Sequence, residues 1–258
     1  MEERNVQILE AEPGKTGGHL DSLRHPKTGE YGFPLFSQQM LDYRDSLMNL
    51  GKVENSNPIY AVIDTGLMHN HPMIKDKIIA EVDLVGEGIE DLNGHGTAVS
   101  LILLMYQSNI QLLNVKALDS KGEGSKDNLI KAFKWIIDWK NTNFPSERIF
   151  INISAGMYIE RFGLFPCNGT CDICKIADEA SANNIFVIAA AGNEKGSTAC
   201  PANAKSVMSV ASVKLDGSRL KSSGRAKMQS FGSVIFGTPS DYQQSEIEAI
   251  YKSVETNL

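Results

Sequence analysis

From residue 58 onward, short continuous apolar runs alternate with segments whose apolar residues recur at every third or fourth position. Continuous apolar runs are typical of strands covered on both faces, and the second spacing is typical of amphipathic helices. The predicted strands are Ile59–Ile63, Ile78–Leu84, Ile110–Leu118, Arg148–Ser154, Ile185–Ala191, Val207–Val213 and Ser230–Phe236. The predicted helices are Thr97–Tyr106, Lys126–Asn141, Asp172–Asn184 and Glu246–Glu255. This alternation predicts right-handed crossovers and a three-layer α/β/α fold with a mainly parallel sheet.

Residues 1–57 lack this alternation, because they are polar and rich in glycine and proline. They contain one convincing helical pattern, which Ser37 caps and Gly51 ends, with apolar residues along one face. We therefore predict an N-terminal extension with one helix over residues 1–57, followed by an α/β domain over residues 58–258.

Composition and charge exclude some classes of binding partner for this protein. The chain of 258 residues has a formal net charge of -6, which argues against nucleic acid or an anionic membrane surface. Its apolar runs are far shorter than the roughly 20 residues that a membrane helix needs. The first residues are charged and do not resemble a secretory signal, so the expected location is cytoplasmic.

Candidate chemistry lies at the ends of the predicted strands. Asp64 follows the first apolar run, and His95 stands between Gly94 and Gly96 where a helix is predicted to begin. Binding sites of parallel sheets lie beyond the carboxyl ends of their strands. A carboxylate and an imidazole placed there can form the orienting acid and the general base of a nucleophilic hydrolase.

Four segments, in this order, resemble the motifs of the subtilisin-like serine peptidases, the subtilases. Ala61–Gly66 is similar to the strand with the catalytic aspartate, and Gly94–Thr97 to the helix start with the catalytic histidine. Ile151–Gly156 resembles the strand end that pairs with substrate, and Ala189–Glu194 the strand end beside the oxyanion hole. The similarity covers roughly residues 58–237 and implies the subtilisin-like α/β/α fold.

The resemblance also implies a role for each matching residue. Asp64 would orient His95, which would act as general base and then as general acid, while the Asn193 amide would donate to the oxyanion. The segment Ser154, Ala155 and Gly156 would pair with an extended peptide or protein substrate. The implied activity is serine endopeptidase hydrolysis, which requires no cofactor.

The nucleophile of the family has no clear match. Subtilases place it in a Gly-Thr-Ser-x-Ala string, whereas the last Gly-Thr here is followed by Pro239, with Ser240 one residue late. We therefore expect no matching nucleophile in this chain. Three interpretations stay open: a truncated or split enzyme with a separately encoded C-terminal segment, a non-catalytic peptide-binding relative, and an active enzyme that uses Ser240.

Four cysteines form a second candidate site. They are Cys167, Cys171, Cys174 and Cys200. Four thiolates can hold a tetrahedral zinc ion, and a reducing compartment favours metal over disulfides. The resemblance places both cysteine segments near the wall of the substrate pocket. Two disulfides or free thiols remain alternatives, because the spacing alone does not decide among them.

Overall fold

The computed structural model describes residues 6–8, 57–161, 165–213, 223–226 and 228–231. The predicted helices within residues 37–50 and 246–255, and Ser240, lie outside these ranges. The strands are β1 (Val6–Ile8), β2 (Ile59–Asp64), β3 (Ile78–Asp83), β4 (Gln111–Lys116), β5 (Glu123–Gly124), β6 (Ile149–Ile153), β7 (Ala155–Gly156), β8 (Glu160–Arg161), β9 (Phe165–Pro166), β10 (Ile185–Ala190), β11 (Met208–Val213) and β12 (Met228–Phe231). The helices within the described ranges are α1 (His95–Tyr106), α2 (Lys126–Asn143) and α3 (Asp172–Ala182).

Within the described residues, seven strands form the main sheet in the order β12-β11-β10-β6-β2-β4-β3. All of its neighbouring pairs are parallel, which confirms the predicted sheet. Within this sheet, β2 is the first strand along the chain, and β3 and β4 lie on one side of it. The chain then crosses to β6, and β10, β11 and β12 follow on the other side. The strand order therefore reverses between β2 and β6, and such reversals are where open α/β sheets bind ligands.

Apolar layers cover both faces of this sheet. Along β2, Ala61 and Ile63 belong to one buried cluster that includes residues of α2 and α3. Val62, which points to the opposite face, packs in a second cluster with residues of α1. The alternation along one strand thus produces the predicted three-layer α/β/α arrangement.

The sequence of helix α2 determines where the helix begins and which of its faces is buried. The side chain of Ser125 accepts a hydrogen bond from the backbone N–H of Asn128 at 3.0 Å, which caps the first turn. The apolar stripe through Leu129, Phe133 and Ile136 is buried, so this face packs on the sheet. Among the described residues, no helix combines the length and apolar content required to cross a bilayer.

A small antiparallel sheet, absent from the sequence prediction, joins the N-terminal extension to the domain. Its central strand β1 pairs with β5 on one side and with β7 on the other. Val6 is fully buried and belongs to the larger apolar cluster. Residues 6–8 are therefore part of the folded domain.

Candidate active site

Asp64 and His95 meet at the carboxyl edge of the main sheet. Asp64 is the last residue of β2, and His95 is the first residue of α1. Their Oδ1 and Nδ1 atoms are 2.7 Å apart, and the side chains are only 1% and 5% exposed. A buried carboxylate thus contacts one ring nitrogen of the imidazole and fixes the orientation of the ring.

This contact requires the start of α1 to approach the end of β2 very closely. A Cβ atom at Gly96 would collide with the carbonyl oxygen of Gly66 and would lie 3.1 Å from the Cβ of Asp64. Only glycine fits at position 96, because backbone packs directly against backbone there. The backbone N–H of Thr65 also donates to Oδ1 of Asp64 at 2.8 Å, which holds the carboxylate in place.

Asp91 organises the loop before His95. Its buried carboxylate accepts hydrogen bonds from the backbone N–H groups of Asn93, Gly94 and Thr97 at 3.0, 2.7 and 2.9 Å. It also accepts from the hydroxyls of Thr65 and Thr97 at 2.8 and 2.7 Å. One side chain therefore joins the turn after β2 to the first turn of α1.

Asp91 was not among the site residues predicted from the sequence. The available signal was a carboxylate a few residues before the predicted start of a helix, where backbone N–H groups need acceptors. The residue directly before α1 is Gly94, which supplies no side-chain cap. Asp91 provides an acceptor instead.

The segment Ser154–Gly156 follows β6 and continues as strand β7. Its residues Ala155 and Gly156 pair antiparallel with Ile8 and Gln7 of β1. On the other side of β1, Gln7 is opposite Glu123 of β5. An extended segment of this same chain thus lies between β5 and β7.

Asn193 follows β10 at the same edge of the sheet. Ile153 of β6 aligns with Ile63 of β2 and with Ala189 of β10, so the chain after all three strands emerges at one level. The backbone N–H groups of Asn193 and Glu194 donate to the hydroxyl oxygen of Tyr158 at 2.5 and 2.8 Å. This tyrosine therefore holds the turn that contains Asn193.

The four cysteines lie together on the side of the domain that includes α3. Their Sγ atoms all lie within 4.8 Å of one another, and none is joined in a disulfide. Hydrogen bonds from Cys174 and then Cys200 lower the pKa of the Cys171 thiol to about 2, and the same contacts raise the pKa of those two partners. The structure thus brings together all four residues that the sequence singled out.

Acidic side chains near the site make contacts within the domain. Glu81 and Glu90 lie 2.6 and 2.7 Å from the two ring nitrogens of His69. Partial burial acts to lower the pKa of His69, but the hydrogen bonds and charges of the two carboxylates outweigh it and raise the pKa. These two carboxylates therefore contact another side chain of the domain.

Comparison with known proteins identifies the family of this chain. The sequence model described as the subtilase family matches residues 55–248, which is most of the chain. The chain belongs to the subtilase family.

Several curated relatives are subtilisin-like proteases of fungi. The chain is 29% identical over 157 residues to the subtilase-type proteinase RRT12 of Saccharomyces cerevisiae, covering 58% of this chain and 30% of that protein. It is 27% identical over 238 residues to a subtilisin-like protease of Coccidioides posadasii, covering 90% of this chain and 55% of that protein. The chain thus spans at most about half the length of these relatives.

We expect Asp91→Asn to destabilise the domain and to disturb His95. The amide would turn an N–H group toward N–H or O–H donors, and each buried donor left unpaired costs about 1–3 kcal/mol. Urea unfolding measures the stability, and the imidazole resonances of His95 in NMR spectra report its surroundings. The control is Asp138→Asn, which changes an exposed carboxylate on α2. Equal unfolding midpoints for the two variants would contradict the role of Asp91.

We expect His69 to stabilise the domain at mildly acidic pH. Its pKa is raised in the folded state, so the stabilisation is present below the unfolded pKa of about 6.5 and is lost as pH rises through the folded value. The free energy of unfolding of wild type minus that of His69→Gln should therefore be largest near about pH 5 to 6. The difference should lose its pH dependence when Glu81→Gln and Glu90→Gln are also present. If the difference in unfolding free energy between wild type and His69→Gln stayed constant with pH, the proposed ion pairs of His69 would be wrong.

Proposed function

We propose that this domain is the peptide-binding and acid–base part of a serine-type endopeptidase that hydrolyses extended peptides. The observation that supports it most directly is the buried 2.7 Å contact between Asp64 and His95 at the point where the strand order reverses. Membership in the subtilase family and similarity to subtilisin-like proteases support the same reaction class.

In this proposal His95 transfers one proton, and Asp64 orients the imidazole and stabilises its protonated form. The carboxylate accepts from Nδ1–H, so the proton of a serine hydroxyl passes to Nε2, and the adjacent negative charge stabilises the imidazolium that forms. The same proton is then delivered to the leaving amine. Asn193 would donate its side-chain amide to the oxyanion, and the Tyr158 contacts hold the backbone of that turn.

The peptide would bind as an added strand between β5 and β7. Backbone groups of Ala155 and Gly156 already pair with an extended segment there, namely β1 of this chain. Strand addition of this kind supplies affinity through the main chain and leaves specificity to side-chain pockets. Since Val6 is also fully buried, a peptide supplied from outside must displace β1 before it can bind.

A second candidate function is peptide binding without cleavage. The observation that favours it is Pro239, which stands in the sequence where the Gly-Thr string of the family is followed by serine. An enzyme without its serine would keep the groove beside β7 and lose efficient hydrolysis. The nucleophile of the first candidate would be Ser240 or a serine on a separately encoded segment.

Labelling with a fluorophosphonate probe separates these functions. If Ser240 is the nucleophile, the chain should be labelled, and Ser240→Ala or His95→Ala should reduce labelling at least about 100-fold because serine activation needs both groups. His69→Ala is the matched control, since this histidine does not contact Asp64 in the described structure. Labelling that is unchanged in His95→Ala would overturn the proposed acid–base role. An unlabelled chain that still binds peptide would favour the second candidate.

Removing β1 should expose the peptide groove. Deletion of residues 1–10 should strengthen binding of a fluorescent casein-derived peptide about tenfold or more, because a tethered competitor acts at a millimolar-range effective concentration. Fluorescence anisotropy with catalytically silent His95→Ala protein measures this affinity without cleavage. Deletion of residues 1–4 is the control, because it stops before β1. Equal affinities for the two truncated chains would show that β1 does not occupy the peptide site.

A further inference from the structure

We propose that Cys167, Cys171, Cys174 and Cys200 bind one structural zinc ion as a tetrahedral four-thiolate site. The observation is that these four Sγ atoms lie within 4.8 Å of one another, in the one such group found within the described residues. The site lies outside the contact between Asp64 and His95, and its assignment does not depend on the proposed peptidase activity.

The mutual spacing favours a central ion over two disulfides. Zinc–sulfur bonds of about 2.3 Å in a tetrahedron place the sulfur atoms roughly 3.8 Å apart, and the thiols here already lie within 4.8 Å of one another. Two disulfides would fix only the distance within each pair, whereas a central ion holds every thiolate at the same distance from every other. A single central zinc ion therefore explains the short spacing among all four thiols.

The backbone around the thiols is suited to negative sulfur. Cys171 is the N-cap residue of α3 and Cys174 lies in its first turn, so both thiolates lie at the positive end of the helix dipole. The backbone N–H of Gly169 donates to Sγ of Cys167 at 3.3 Å. Hydrogen bonds of this kind to metal-bound sulfur stabilise the charge and orient the ligand.

The two loops that supply the ligands also contact each other directly. The side-chain amide of Asn203 donates to the carbonyl oxygen of Cys167. Gly169 has a φ of +86°, and a Cβ atom there would lie 2.7 Å from the carbonyl oxygen of Asn203. The loop after β9 and the loop after β10 are therefore held in contact, as a metal site shared between them requires.

The site borders the segment proposed to bind peptide. Met157, the residue after β7, and Cys200 exchange backbone hydrogen bonds of 3.1 and 2.8 Å. The next residue, Tyr158, accepts from the backbone N–H of Asn193. Zinc would thus fix the backbone on the far side of β7. Four protein ligands leave no open coordination position, so the ion would have a structural role.

Metal analysis of the full chain, purified under reducing conditions, tests the assignment. We expect about one zinc per chain, and strong thiolate-to-metal charge-transfer absorption after replacement by Co²⁺. Because binding requires thiolates, uptake of Zn²⁺ by the metal-free chain should release protons and raise the unfolding midpoint. Less than half an equivalent of zinc, iron in its place, or two disulfides in the isolated chain would overturn the proposal.

Substitutions at Cys171 separate ligation from packing. This residue is only partly buried, so Cys171→Ala should fold but lose most of the bound zinc, while Cys171→His should keep it because imidazole also binds zinc. Thr170→Ser, a neighbouring exposed position, should keep the full equivalent. If Cys171→Ala retained as much zinc as Thr170→Ser, the four-thiolate site would be wrong even with zinc present in the wild type.

Discussion

The close approach of the first turn of α1 to the end of β2 is the constraint on which the candidate active site depends. No side chain fits between these two backbones, because a Cβ at Gly96 would collide with the carbonyl oxygen of Gly66. The short gap leaves His95 and Asp64 in direct contact, buried from water. A helix that started even slightly farther from the sheet would leave the carboxylate buried without its imidazole, which is costly.

Asp91 explains how the chain maintains this approach. A helix start leaves several N–H groups without partners, and Gly94 offers no side chain to accept from them. The Asp91 carboxylate accepts from that turn and from the hydroxyl of Thr65, and Thr65 in turn accepts from the backbone N–H of Gly96 at 3.0 Å. These contacts join the strand end and the helix start into one hydrogen-bonded unit, so the position of His95 depends on Asp91 and Thr65 as well as on Asp64.

Much of this fold could be predicted because long buried elements leave a periodic pattern. The other main strands and α1 to α3 agree with the prediction to within a few residues at their ends, as for β10 and α2. Strand β12 begins two residues before the predicted strand Ser230–Phe236, of which residues 232–236 lie outside the described ranges. The order of the strands within the sheet was not predicted, because periodicity describes only local structure. Strands β1, β5 and β7 have two or three residues and show no period, so their pairing was invisible in the sequence. Asp91 was missed for another reason: the sequence alone does not distinguish a buried, hydrogen-bonded aspartate from a solvated one.

The loops after β6 and β10 are joined at two points, and this links the candidate peptide site to the cysteine cluster. Met157 pairs with Cys200 through backbone hydrogen bonds, and Tyr158 accepts from the N–H groups of Asn193 and Glu194. Neighbouring residues of one segment therefore fix both the cysteine loop and the turn with the candidate oxyanion donor. Because close-packed interiors transmit strain, we expect a displacement at Cys200 to shift Met157 and, through it, the end of β7. The wall of the proposed groove and the turn with the candidate oxyanion donor are therefore held by two adjacent residues, Met157 and Tyr158.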